Sequence, residues 1–158
     1  MNITKYFELK KEIELNTDLE LFENEFINSE YKNFSFYRSG SNQFTVEAKI
    51  SVGTVRINNY KSIPITTTLE LSKRGDQNYA TLRNGIGLNS IIITISILVI
   101  LIMLAIFSGS NEAIGIVTIS LISLVWFWLI FRGQEEILQA CVIKSIKDIN
   151  QKYEENNF

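Results

Sequence analysis

Glu47 and Glu70 fall on the polar side of segments that alternate apolar and polar residues, and two carboxylates at a suitable spacing could do general acid and base work. Scattered acids of this kind are ordinarily solvated surface, which makes a membrane-tethered enzyme the weakest of three functional readings. Composition removes most other chemistry. With no His and a single Cys, the chain cannot build a Ser-His-Asp triad, a Cys-His pair, a zinc site of the usual kind or an internal disulfide. Cys141 lies on an apolar stripe and reads as a small packing residue. Gly85-x-Gly87-x-x-Ser90 is a fragment of a dinucleotide fingerprint, but it precedes a long apolar run and belongs to no βαβ unit, so it reads as a flexible joint. Arg74-Gly75-Asp76 reads as a polar hairpin tip, and no glycan is expected at Asn2 or Asn33 on the side of the membrane assigned below. No catalytic residue, cofactor or metal ligand is assigned, and the chain reads as non-enzymatic.

Two long apolar runs dominate the second half. Residues 91–107 and 113–131 contain no ionisable side chain, and between them lie only Ser108, Gly109, Ser110, Asn111 and Glu112. The first run holds eight Ile, three Leu, one Val and one Phe. Insertion of such a run into a bilayer is favourable by roughly 4 to 8 kcal/mol. A soluble helix of this length needs a polar face, and neither run has one. In lipid an isolated segment satisfies its backbone only as a helix. The pair reads as a transmembrane hairpin, with the lipid bilayer as the first partner.

Met1 to Leu15 carries Lys5, Glu8, Lys10, Lys11, Glu12 and Glu14 and has no apolar core, so no cleavable signal peptide is expected. Lys73, Arg74 and Arg83 precede the first run, and Arg132, Lys144 and Lys147 follow the second. The positive-inside rule then predicts a two-pass protein of the inner (plasma) membrane with both termini cytoplasmic. Lys73, Arg74 and Arg83 gather in the last hairpin before the membrane and form, with Arg132, the basic side of the interface. Trp126 and Trp128 suit the aromatic belt. Within the runs, Thr94, Leu98, Leu101 and Ala105 make one face for helix packing, and Gly115 offers a small residue on the second helix.

Residues 1–88 read as a β-rich cytoplasmic domain whose eleven basic and eleven acidic residues balance, which leaves no nucleic-acid footprint. Ile3 to Leu15 reads as a first strand, with a helix from Tyr6 as the alternative. Thr17-Asp-Leu-Glu20 fits a capping box, and Leu19, Phe22 and Phe26 recur at helical spacing, predicting a short helix over 18–27. Period-two segments follow around Phe34 to Phe36, Phe44 to Ile50, Val55 to Ile57, Ile63 to Leu71 and Tyr79 to Leu82, separated by turn residues and expected to form an antiparallel meander. From Gln134 to Tyr153 a helix carries Leu138, Cys141, Val142, Ile146, Ile149 and Tyr153 on one stripe, after a break at Gly133. That stripe should pack on its own sheet or on a neighbouring subunit rather than lie along the headgroups.

The fold class is therefore an α+β membrane protein. An antiparallel β-rich domain with one short helix (1–88) leads into a transmembrane helical hairpin (89–132) and a cytoplasmic amphipathic helix and tail (133–158). This order of segments, with Val55-Arg-Ile-Asn-Asn-Tyr-Lys-Ser-Ile-Pro64 as a strand-turn-strand element, resembles small two-transmembrane-helix bacterial (Bacteroidota-like) membrane proteins of unknown function. The resemblance implies the architecture and no activity. The leading functional expectation is an inner-membrane-anchored binding or scaffolding module that forms a homo-oligomer or joins a membrane protein partner. The alternative is an effector that senses a ligand or partner, oligomerises and perturbs the membrane.

Overall fold

Strict alternation of apolar and polar residues lets a strand bury one face and wet the other. The computed structural model, which describes residues 9–49, 56–57, 60–61, 65–84, 97–103 and 111–155, builds a five-stranded antiparallel sheet on that principle. The strands are β1 (Leu9–Leu15), β2 (Phe34–Gly40), β3 (Gln43–Ala48), β6 (Thr66–Arg74) and β7 (Gln77–Asn84), in the order β1-β7-β6-β3-β2. β4 (Arg56–Ile57) and β5 (Tyr60–Lys61) pair with each other as a separate antiparallel ladder within the segment read as strand-turn-strand. Between β1 and β2 lies helix α1 (Leu19–Asn28). Residues 97–103 are helical (α2), and α3 spans Asn111–Glu155.

The chain is α+β, but its sheet is not a simple meander. β2, β3, β6 and β7 lie in chain order, whereas β1 joins outside β7, with Leu9 opposite Asn84 and Leu15 opposite Asn78. The first and second strands thus sit on opposite edges, about 19 Å apart by four strand spacings. The ten residues of α1, about 15 Å long, with their flanking residues span that gap. Helix α1 begins one residue later than its spacing predicts, and the expected capping box does not form. Asp18 is the N-cap, with extended backbone and no side-chain capping hydrogen bond. At the other end the Ser29 hydroxyl donates to the Glu25 carbonyl at 2.8 Å. Residues 1–8, including the expected start of the first strand at Ile3, lie outside the described residues.

The inner face of the sheet carries Leu15, Phe34, Phe44, Val46, Leu69, Leu71, Ala80 and Leu82, all buried. Phe22 and Phe26 of α1 and Leu138, Val142, Ile146 and Ile149 of α3 complete the same cluster. Phe26 stands at its centre, with ring centroids 4.9 Å from Phe36, 5.1 Å from Tyr31 and 5.7 Å from Phe44. The β6–β7 turn is two residues long, and Gly75 takes the left-handed conformation (φ 63) that so tight a hairpin needs.

Two boundaries differ from the sequence reading. Gly133 does not break the chain, because α3 is one helix of 45 residues from Asn111 to Glu155. A single helical Gly costs about 1 kcal/mol relative to Ala, too little to end a long helix by itself. Glu112 lies in the first turn of α3 rather than in a loop, where the helix dipole favours an acid. The chain divides into two compact units, Glu8–Gly85 with Gln134–Phe158, and Met1–Phe7 with Ile86–Gly133. In the second of these, α3 supplies a helix long and apolar enough to cross a membrane, with no part of its most apolar window buried. Residues 104–110, where the expected hairpin would turn, lie outside the described residues.

Candidate functional site

A helix that packs on a strand edge must either leave that edge's backbone groups to water or answer them with side chains. The end of α3 answers them. Gln139, completely buried, donates from Nε2 to the Leu9 carbonyl at 3.1 Å and to Oδ1 of Asn84 at 2.8 Å. Asn84 in turn donates to the Thr66 carbonyl at 3.1 Å. Eleven residues on, Asn150 donates to the Glu14 carbonyl at 2.8 Å and accepts from the Asn16 amide at 3.4 Å. From Gln139 to Asn150 the helix rises about 17 Å, and from Leu9 to Glu14 the strand rises about the same, so the tail runs along β1 in the same direction with a polar pin at each end.

Beside the second pin lies a groove of ≈ 730 Å³ in which the β1–α1 turn, the β6–β7 hairpin and the end of α3 meet. Glu14, Asp18 and Asp76 stand around it over Leu15, Leu21 and Tyr153. Asn78, nine-tenths buried, donates to the Thr17 carbonyl at 3.0 Å, and its side-chain oxygen has no partner. A second concavity is lined by Tyr31, Phe34 and Phe36 together with Lys32 and Lys49. Burial pushes the Tyr31 hydroxyl up to about 12, opposed by its hydrogen bond with Ser29 and reinforced by the Glu25 carboxylate. Lys152 is held above its ordinary range by hydrogen bonding to Glu25 and by the charge of that carboxylate.

Of the tail stripe, Leu138, Val142, Ile146 and Ile149 are buried, and Cys141 and Tyr153 are half-buried against the core. Gln139 and Asn150, beside that stripe, are buried as well. Lys73, Arg74 and Arg83 do not gather. Lys73 and Arg74 are at the hairpin tip, whereas Arg83 faces Thr68, six positions back along β6 from Arg74 and so about 20 Å away. Arg74 is bound instead by Glu12 at 2.8 Å and lies 5.4 Å from the Tyr79 ring, and Arg83 lies 3.7 Å from Glu70. Glu47 and Glu70 share the outer face but are paired with Thr66 and Gln43, about 13 Å apart along the ladder, which is too far for a hydrolytic carboxylate pair.

Trp126 and Trp128 are exposed on α3, which also carries Arg132. In α2, Leu98 and Leu101 are more covered than the residues around them; Thr94 and Ala105 lie outside the described residues. Gly115 is exposed, and among the described residues a Cβ added to it would meet nothing within 4 Å. Val117, Ser120 and Leu124 of α3 are half-buried, at spacings of three and four. Ser123 donates back to the Ile119 carbonyl at 2.9 Å. Among the described residues no group of three or more His, Cys, Asp and Glu is placed to hold a metal ion. Compared with known protein families, curated proteins and solved structures, the chain finds no match.

Proposed function

We propose that the chain is a small binding or scaffolding module held at the inner membrane, with a two-helix hairpin over 89–132 and with the sheet domain and both termini on the cytoplasmic side. In this reading it assembles with itself or with a membrane protein partner and does not bind nucleic acid. One observation carries the proposal. A single helix, α3, has Ile119, Ile122, Val125, Trp126 and Leu129 exposed in its first half and Leu138, Val142, Ile146 and Ile149 built into a domain core in its second. Each large apolar side chain left in water forgoes roughly 1.5 to 3 kcal/mol, and lipid removes that cost. The basic residues that flank the apolar runs and avoid residues 108–112 support the sidedness.

Fractionation tests the anchor. The protein should pellet with membranes and resist carbonate extraction; recovery in the aqueous fraction would end the proposal. Cysteines introduced as Ser110→Cys and Ser41→Cys, on a Cys141→Ser background, test the topology. Labelling from outside intact cells is expected at residue 110 only, and labelling at 41 would reverse the sidedness. Dye entry into expressing cells would favour the membrane-perturbing effector.

A further inference from the structure

Both of the sheet domain's links to the apolar runs start from one end of the sheet. Leu9 is opposite Asn84, Asn84 donates to the Thr66 carbonyl at 3.1 Å, Thr66 is opposite Glu47, and Ala48 is opposite Phe34, so these residues form a row across that end. Asn84 lies seven residues before the run that starts at 91. Gln139, bonded to Asn84, lies eight residues after the run that ends at 131. The β6–β7 turn is at the other end, seven residues and about 23 Å along β7. Lys73 and Arg74, although close to the membrane in chain order, therefore lie at the end remote from both links.

The linked end carries Lys32 and Lys49 instead. The Lys49 amide donates to the Asn33 carbonyl at 3.0 Å, which sets both lysines just beyond the row. Both are exposed, and they flank the concavity walled by Tyr31, Phe34 and Phe36, where Glu30 is the only acid among the lining residues. Lys49 Nζ donates to the Tyr31 carbonyl, and neither lysine has an ion-pair partner among the described residues. The chain adds to this excess, since Ala48 to Leu69 contains Lys49, Arg56 and Lys61 and no acid. Arg56 is opposite Lys61 in the β4–β5 ladder. We propose that this end of the domain, with Lys32 and Lys49 as its contacts, rests on the anionic phospholipid headgroups of the cytoplasmic leaflet. A negatively charged leaflet attracts basic groups held within a Debye length of it and repels acids such as Glu14, Asp18 and Asp76, which stand at the remote end. The inference rests on the anchor reading and gives the anchored domain its orientation and its lipid.

The test uses the full chain in nanodiscs of phosphatidylcholine, alone or in equimolar mixture with phosphatidylglycerol. A polarity-sensitive fluorophore is placed on Ser35→Cys, which lines the same concavity, in a Cys141→Ser background. Its emission should shift to the blue in the anionic nanodiscs only, and the shift should shrink with added chloride. A probe on Ser41→Cys, in the β2–β3 turn at the remote end, should respond to neither lipid. Lys32→Gln/Lys49→Gln should lose the shift at residue 35, and Lys73→Gln should keep it. Equal emission at residue 35 in the two lipids, a shift that survives the double variant, or a response at residue 41 in place of 35 would overturn the proposal. Reversal by inorganic phosphate at an ionic strength where chloride has no effect would make this a free-anion site and overturn the lipid assignment. Carbonate extraction of the parent separates the two ideas. Its loss from the pellet ends the anchor, whereas a pelleting protein whose residue 35 ignores lipid charge ends this inference alone.

Discussion

Gln139 and Asn84 lie 130 and 75 residues from Leu9, yet the Gln139 Nε2 group reaches both the Asn84 side-chain oxygen, at 2.8 Å, and the Leu9 carbonyl, at 3.1 Å. One buried amide thereby ties the C-terminal helix to the first residue of β1 and the last residue of β7, closing the sheet at the end where the chain leaves it for the apolar run. Substituting Gln139→Leu keeps most of the volume but orphans both acceptors. A loss of about 1 to 3 kcal/mol is expected, read as a lower urea midpoint with unchanged slope. Gln139→Glu should cost more at neutral pH than at acid pH, because the ionised carboxylate cannot donate to either oxygen.

The tail stripe makes a second prediction. Val142 and Ile146 are completely buried against the sheet. Ile146→Ala should destabilise by about 2 to 4 kcal/mol, and Lys144→Ala, on the exposed side of the same turn, by less than about 0.5 kcal/mol. Equal effects of the two would mean that the tail does not cover the sheet.

How far this was readable from sequence depends on how local each cause is. Leu19, Phe22 and Phe26 announce α1, and Thr67, Leu69 and Leu71 announce β6, because each pattern repeats within a few residues. The placement of β1 beside β7 leaves no such trace, since an edge strand adds its ladder to a partner some 70 residues away. Gly133 misled because a glycine marks freedom, not use, and nothing packs where its side chain would be. Gln139 and Asn150 stayed hidden because a polar residue beside an apolar stripe reads as solvated unless the carbonyls of the facing strand are known. The groove was invisible for the same reason: Asp18, Asp76 and Tyr153 come together only through the sheet order.

Tyr31 provides a pH-dependent prediction. Its hydroxyl is raised from 10.0 to about 12, chiefly by burial, and it donates to the Phe26 carbonyl at 3.1 Å. The neutral form is thus favoured in the folded state. This contribution to stability is fully present below pH 10 and is lost as pH rises through about 12, because the unfolded chain releases the proton first. Relative to Tyr31→Phe, the parent protein should lose stability across that window, and its tyrosinate absorbance should show one late-titrating residue that the variant lacks. Parallel pH profiles for the two proteins would remove Tyr31 as the cause.

Ile122 is 64% exposed in the apolar half of α3, in the compact unit that excludes the sheet domain. If lipid is the solvent for that surface, a charge there opposes insertion without touching the domain core. Ile122→Arg near the centre of a spanning helix should cost about 2.5 to 3.5 kcal/mol of insertion free energy, and the pair Ile122→Arg/Val125→Arg about twice that. The expected result is a shift of the double variant from the carbonate-resistant pellet to the soluble or degraded fraction, while Ile122→Leu stays in the pellet. Aqueous exposure of the same face predicts the opposite: arginines would improve solubility and leave fractionation unchanged, because a solvent-facing charge has no desolvation to overcome. The sign of the response therefore identifies the solvent around α3 directly.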